Sequence, residues 1–145
     1  MKVSYKWLQE YVDLSGIRAD ELAEKMSRTG IEVDGVAKPG EGLSKIVVGH
    51  TLKVVDHPDS DHLSICMVNT GTEVLQIVCG APNVRVGLVT ALAKVGAKLG
   101  DITIGKAKLA GIESYGMCCG GDEIGINDDH SGIVELDDDT PLGKD

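Results

Sequence analysis

The chain predicts a mainly β fold: a five-stranded barrel with extra short strands, preceded by a small two-helix N-terminal segment (α+β overall). Three observations carry this. From about Lys45 onward, runs rich in Val, Ile and Thr alternate with clusters of Gly, Pro, Asn and Asp. The first 35 residues instead place apolar side chains at helical spacing. Nineteen glycines in 145 residues call for tight turns rather than long helices. With no Phe and one Trp, the core must be built from Val, Ile, Leu, Ala and Met. Five or six short strands in a segment of this length suit a small barrel or sandwich, and a closed five-stranded OB-type barrel fits the count best.

Each element follows from local chemistry. Ser4 can cap a helix whose apolar face is Trp7, Leu8, Tyr11 and Val12, and "DLSG" breaks it. A second helix is expected from Ala19 to Thr29, with Leu22, Ala23 and Met26 on one side. Asp20 and Glu21 lie in its first turn, Arg28 in its last, and Gly30 follows as the left-handed stop. "IEVDGVAKPGEG" reads as a short strand running into a Pro/Gly linker. The boundary near Pro39 divides the chain into a helical segment, 1–38, and a barrel domain, 39–145. Strands are expected in "KIVVGHTLKVV", "LSICMVNTG", "VLQIVCG", "LVTALAKVG", "DITIGKAKLAGI" and "GIVEL", with turns at "HPDSD", "APNVRVG" and "AKLG". In the second of these, Leu63, Ile65 and Met67 form the alternating apolar face.

Composition excludes several classes. No apolar run is long enough to cross a membrane as a helix, and the amphipathic N-terminus lacks the apolar core of an export signal. A cytoplasmic location is the resulting expectation. The four cysteines, Cys66, Cys79, Cys118 and Cys119, form no C-x2-C pair and read as reduced structural thiols. Net charge is −9, but it is uneven: residues 119–145 carry −8, whereas residues 85–118 carry an excess of +3.

Four stretches could carry chemistry. His57, Asp61 and His62 in "DHPDSDHL" are metal-ligand types, but Pro58 and the turn-forming "PDSD" favour a polar corner opening a strand. "NDDHSGIVELDD" places Asn127, Asp129, Ser131, Gly132, Val134 and Asp138 at calcium-loop positions, without flanking helices or the final Glu. "GAPNVRVG" lacks phosphate-loop spacing, and no catalytic set is evident. In "GKAKLAGIESYGMCC", Lys106 and Lys108 alternate and so share one face of a strand, with Ala107 and Leu109 inward. Ser114 and Asn83 could add hydrogen bonds to a phosphate or base edge.

The ordered set "HPDSDHL", "QIVCGAPNV", "KAKLAGIESYGM" and "DDHSGIVEL" resembles the tRNA-binding OB domain related to the EMAP-II cytokine. The opening "VSYKWLQEYVDLSG" and "ELAEKMSRTGIEVDGV" looks like the start of the β subunit of bacterial phenylalanyl-tRNA synthetase. The resemblance runs from Val3 to about Gly143. It implies a longer natural subunit continuing past Asp145, with a helical segment that begins a discontinuous small domain. It also implies an accessory, non-catalytic module of an aminoacyl-tRNA synthetase, a ligase of protein biosynthesis. ATP and magnesium would serve the whole enzyme, with no cofactor in this piece. The implied partners are tRNA, a synthetase α subunit and the remaining β-subunit domains. Carried over by position, the tRNA-facing residues are Asn83, Lys106, Lys108, Ser114 and Met117. The family pattern has Lys where His62 stands, Arg or a similar residue at Ala110, and Leu-Cys-Ser at Cys118, Cys119 and Gly120. Two cations are thereby missing, and weak tRNA binding is expected. Two other readings compete: a free-standing tRNA-binding or chaperone-like protein, and a metal-binding module.

Overall fold

A computed structural model describes residues 1–144, and the chain divides into two compact units, Met1–Lys38 and Pro39–Asp145. In the first unit, α1 (Tyr5–Leu8) is a single turn capped as expected, with the Trp7 amide donating to Ser4 Oγ at 3.4 Å. It does not continue to Val12. The Glu10 and Tyr11 amides turn back to the carbonyls three residues earlier, and Asp13 Oδ1 then accepts from the Ser15 amide at 2.9 Å. The Tyr5 hydroxyl ties this turn to the Ile17 carbonyl.

Helix α2 (Ala19–Arg28) keeps the expected limits. The Glu21 carboxylate accepts from the Arg18 amide at 3.1 Å, at the start of the helix. At its end, Gly30 takes φ +100°, and the Ile31 amide reaches the Met26 carbonyl at 3.0 Å in a Schellman closure. The strand expected at "IEVDGV" does not form. That segment has no β neighbour in its unit, and the Val33 amide instead bonds Ser27 Oγ.

The second unit is a curled antiparallel sheet of OB type. It contains β1 (Leu43–Asp56), β2 (Ser64–Asn69), β3 (Val74–Cys79), β4 (Val89–Leu99) and β5 (Ile102–Thr103) in the order β3-β2-β1-β4-β5. A separate hairpin of β6 (Ala107–Leu109) and β7 (Ile112–Ser114) follows, and β8 (Gly116–Cys118) returns to pair with β4. The long β1 pairs with β2 through its second half and with β4 through its first, so one strand belongs to both walls of the curl. Pairing slips between Ser44 and Ile46, with Lys45 at φ +56°, and again between Thr51 and Lys53. The segment "AKL", expected as a turn, is the end of β4, and the chain reverses one residue later at Gly100.

Two apolar clusters fill the unit. One joins Cys66, Val68, Ile77, Leu88, Leu92 and Ile133, and the other centres on Ala91, Ala93, Ala97, Leu99 and Cys119. The phase of β2 is opposite to that expected. Cys66 and Val68 are fully buried, while Leu63, Ile65 and Met67 are only partly covered. Both faces of β2 carry apolar side chains, so alternation alone could not say which one meets the core. The "GIVEL" strand is reduced to two isolated bridges, Gly120 to Ile133 and Val89 to Leu136.

Closure of the curl rests on a seam between β3 and the β7–β8 corner, where no regular ladder forms. The Tyr115 amide donates to the Gln76 carbonyl at 2.9 Å, and Gln76 Nε2 donates to the Glu113 carbonyl at 2.8 Å. The Val78 amide donates to Ser114 Oγ at 3.0 Å, and that hydroxyl donates onward to the Gly116 carbonyl at 2.9 Å. Gly116 permits the approach, since a Cβ there would lie 2.6 Å from the Ala93 carbonyl oxygen. A methyl group at this point must push β8 off β4. Gly116→Ala should therefore destabilise the barrel unit by about 1–3 kcal/mol, read as a lower urea midpoint by circular dichroism; an unchanged midpoint would show that the seam can open without cost.

Candidate nucleic-acid interface

The β6–β7 hairpin projects from the sheet that forms the barrel wall. Its register pairs Ala107 with Ser114, Lys108 with Glu113 and Leu109 with Ile112. Ala110 and Gly111 connect the strands with φ of +47° and +87°, a two-residue turn whose twist suits a tight hairpin. Ala107 and Leu109, expected to face inward, are exposed, because this short ribbon forms a two-stranded sheet of its own apart from the barrel ladders.

Lys106 and Lys108 do sit together on this hairpin, but they differ in state. Lys106 Nζ lies 3.1 Å from Glu113 Oε1 and 4.9 Å from the centroid of the Tyr115 ring. The Tyr115 hydroxyl donates to the other Glu113 oxygen at 2.6 Å. That hydroxyl, followed by Lys106, holds the Glu113 carboxyl below its ordinary range, and the carboxylate holds Lys106 above its own. Lys108 makes no ion pair among the described residues. Elsewhere in the mildly basic segment, Lys94 pairs with Glu73 at 2.6 Å and Arg85 with Glu135 at 2.9 Å. Much of the excess positive charge counted along the chain is thus neutralised locally.

The hairpin is anchored by the residue that looked most like a metal ligand. His57 is buried, and its Nδ1 accepts from the Asp59 amide at 3.0 Å, so Nε2 carries the proton and donates to the Leu109 carbonyl at 3.2 Å. Both ring nitrogens are committed. His62 is exposed and bonds only to its neighbours Ser60 and Asp61. No group of three or more metal-ligand side chains occurs among the described residues. Residues 127–131 fold as consecutive turns, Asp129 amide to Asn127 Oδ1 and Ser131 amide to Asp129 Oδ1. Ile133 and Leu136 then make isolated bridges, and no helix flanks the stretch among the described residues. Neither metal candidate has the geometry its residue types suggested.

Asn83 and Ser114 are likewise occupied. Asn83 brackets Ile133, accepting from its amide at 3.0 Å and donating to its carbonyl at 2.8 Å, and it also donates to Glu135. Gly132 is required beneath it, since a Cβ there would lie 2.4 Å from Asn83 Oδ1. Arg85 adds a two-pronged contact to Glu135 at 3.0 and 2.9 Å. Ser114 is buried within the seam. Met117 stands opposite Ala93 on β8 and, with Leu109, Cys79, Pro82, His130 and Gly132, lines an open groove beside the hairpin. The five positions therefore form two groups: Lys106, Lys108 and Met117 at the hairpin and groove, and Asn83 and Ser114 inside the framework that shapes them.

The acidic end of the chain is part of this framework. The Val134 amide bonds the Cys119 carbonyl, Leu136 bonds Val89, and Gly143 and Lys144 exchange bonds with Val48. His130 Nδ1 lies 2.7 Å from Asp122 at the rim of the groove. Sequence reasoning missed His57, Tyr115 and the Asn83–Glu135 clasp as organisers. Only His57 carried a local signal, the proline that follows it.

Residues 46–145 match the family model described as "Putative tRNA binding domain". Over 145 residues, 99% of this chain, it is 48% identical to the phenylalanine–tRNA ligase beta subunit of Xanthomonas euvesicatoria. It is 52% identical over 129 residues to the subunit of that name from Shouchella clausii. The chain spans 18% and 16% of the lengths of these relatives. Among solved structures, the C-terminal domain of Plasmodium vivax p43 aligns with 52% of this chain and 44% of that one, at 23% identity and a TM-score of 0.42.

The clasp has a pH signature. Arg85, then Asn83, hold the Glu135 carboxyl down from 4.5 to about 2. A depressed carboxyl stabilises the folded state above its unfolded value, and that contribution is lost as pH falls through the folded one. Glu135→Gln should therefore lower the melting temperature at pH 7, with the deficit shrinking below pH 4.5 and vanishing near about 2. A deficit that is constant over that range would mean that the Glu135 charge contributes nothing.

Proposed function

Because the chain belongs to the tRNA-binding domain family over residues 46–145, we propose that it is a non-catalytic tRNA-contacting module of the β subunit of a phenylalanine–tRNA ligase. The observation that carries this reading is the extent of similarity. The family model begins at residue 46, yet the similarity to ligase β subunits covers 99% of the chain and so takes in the helical first unit as well. A free-standing tRNA-binding protein has no observation in its favour, and the metal-binding reading has lost its ligand geometry. ATP-dependent charging of tRNA, with magnesium, belongs on this reading to the whole enzyme and an α subunit, not to this module.

In the proposed contact, Lys108 meets a phosphate directly, and Lys106 meets one by exchanging its bond to Glu113. Surface ion pairs are worth little, so that exchange is cheap when a phosphate replaces a carboxylate. Tyr115 and Met117 offer the adjoining flat and apolar surface. Asn83 and Ser114 act from within, by holding the 132–135 segment and the seam that carry the groove. With few free cations and an acidic segment at the rim, contact is weak on its own and gains strength from the rest of the enzyme. We infer further that residues 1–38 begin a small domain completed by other parts of a longer chain. Trp7 and Tyr11 motivate this: they meet edge to face at 5.8 Å while remaining 54% and 71% exposed.

Two measurements test these readings. Titration of tRNA against the protein at two salt concentrations should show the slope of log affinity against log salt flatten by about one for each of Lys106→Ala and Lys108→Ala; an unchanged slope would place the contact elsewhere. Comparing wild type with Trp7→Phe in a full-length chain, the Trp7 emission should lie to the blue of its position in residues 1–145. The same emission in both would end the discontinuous-domain reading.

A further inference from the structure

Cys79 ends β3 and Cys118 ends β8, the two strands that face each other across the seam without a shared ladder. Both line the groove and both belong to the same apolar cluster, 7% and 6% exposed. The Ala81 amide donates to the Cys79 sulfur at 3.4 Å. Cys66 shares the cluster but is fully buried, and Cys119 points into the second cluster.

We propose that Cys79 and Cys118 form a reversible thiol–disulfide pair, a modification site in the groove wall for small disulfides of the glutathione class. The pair divides the work. The neighbouring Cys118 thiol and the Ala81 amide outweigh burial and the Glu123 carboxylate, bringing the Cys79 thiol down to about 7. The neighbouring Cys79 thiol and burial hold Cys118 well above the ordinary thiol range. Cys66 and Cys119 are pushed up to about 12, chiefly by burial. The Cys79 thiolate is thus the nucleophile and Cys118 the resolving thiol. Cys79 attacks one sulfur of the small disulfide, its S–S bond breaks, and one small thiolate leaves and takes up a proton. Cys118 then gives up its proton and attacks the Cys79 sulfur of the mixed disulfide, releasing the second small thiol. Two protein thiols are oxidised, one small disulfide is reduced to two thiols, and the protons balance.

This inference stands apart from the tRNA reading and is tested without RNA. The 145-residue protein is incubated with glutathione disulfide, free thiols are alkylated, and peptides are mapped by mass spectrometry. The expected result is one intramolecular link between Cys79 and Cys118, with Cys66 and Cys119 alkylated after unfolding. The link should revert with dithiothreitol, and the rate of its formation should fall as pH drops below about 7. Cys118→Ala should stop at a stable glutathione adduct on Cys79, with circular dichroism checking its fold. If that variant does not fold, the wild-type map decides alone. Four free thiols, or a link through Cys66, Cys119 or a second molecule, would overturn the proposal.

Discussion

The barrel depends on closing a gap that strand pairing leaves open. β3 is the outer strand of its wall, and on the far side the chain offers only the short corner from Ile112 to Cys118. A bare sheet edge would leave polar groups unpaired in a buried place, at a cost of about 1–3 kcal/mol each. Ser114, Gln76 and the Tyr115 amide satisfy them with single bonds in place of a ladder. Gly116 then lets β8 settle on Ala93. The proposed ligand-facing parts hang from this corner: the lysine strand β6 pairs with its first residues, Met117 lies within it, and Cys118 ends it.

A second constraint is electrostatic. A chain with net charge −9 would have to keep its acidic groups away from the surface proposed to meet an anion. Part of the answer is internal pairing. Glu135 is taken up by Arg85 and Asn83, Glu73 by Lys94, and Asp122 lies against His130. The same pairing removes cations from the surface, leaving Lys108 the more available of the two hairpin lysines. Held against the barrel by main-chain bonds, the acidic segment is a wall of the groove and not a trailing tail. Positive charge counted along the sequence therefore overstates what a polyanion meets.

Much of the fold was legible in the residues because the signals were local. Helix α2 was set by acidic residues at its start and a glycine at its stop, and β1 to β4 by β-branched runs between turn formers. Failures fell where the deciding partner is distant in sequence. The 31–36 segment has no neighbour to pair with, β2 shows apolar residues on both faces, and "GIVEL" meets only scattered bridges.

The candidate site divides in the same way. Sequence by itself determined the family resemblance and the spacing of Lys106 and Lys108, since these are matters of order along the chain. The single strand expected at "DITIGKAKLAGI" instead breaks at Ala110 and Gly111 into a hairpin. Tertiary structure alone decided their roles. Asn83 and Ser114 carry groups suited to a ligand, but burial obliges such groups to find partners, and Ile133, Val78 and Gly116 arrive first. His57 could have held a metal, until the fold placed the Leu109 carbonyl, 52 residues away, against its second nitrogen. Hydrogen-bonding capacity is written in a residue's type. Whether it remains free depends on which distant atoms folding brings within 3 Å, and no local pattern records that.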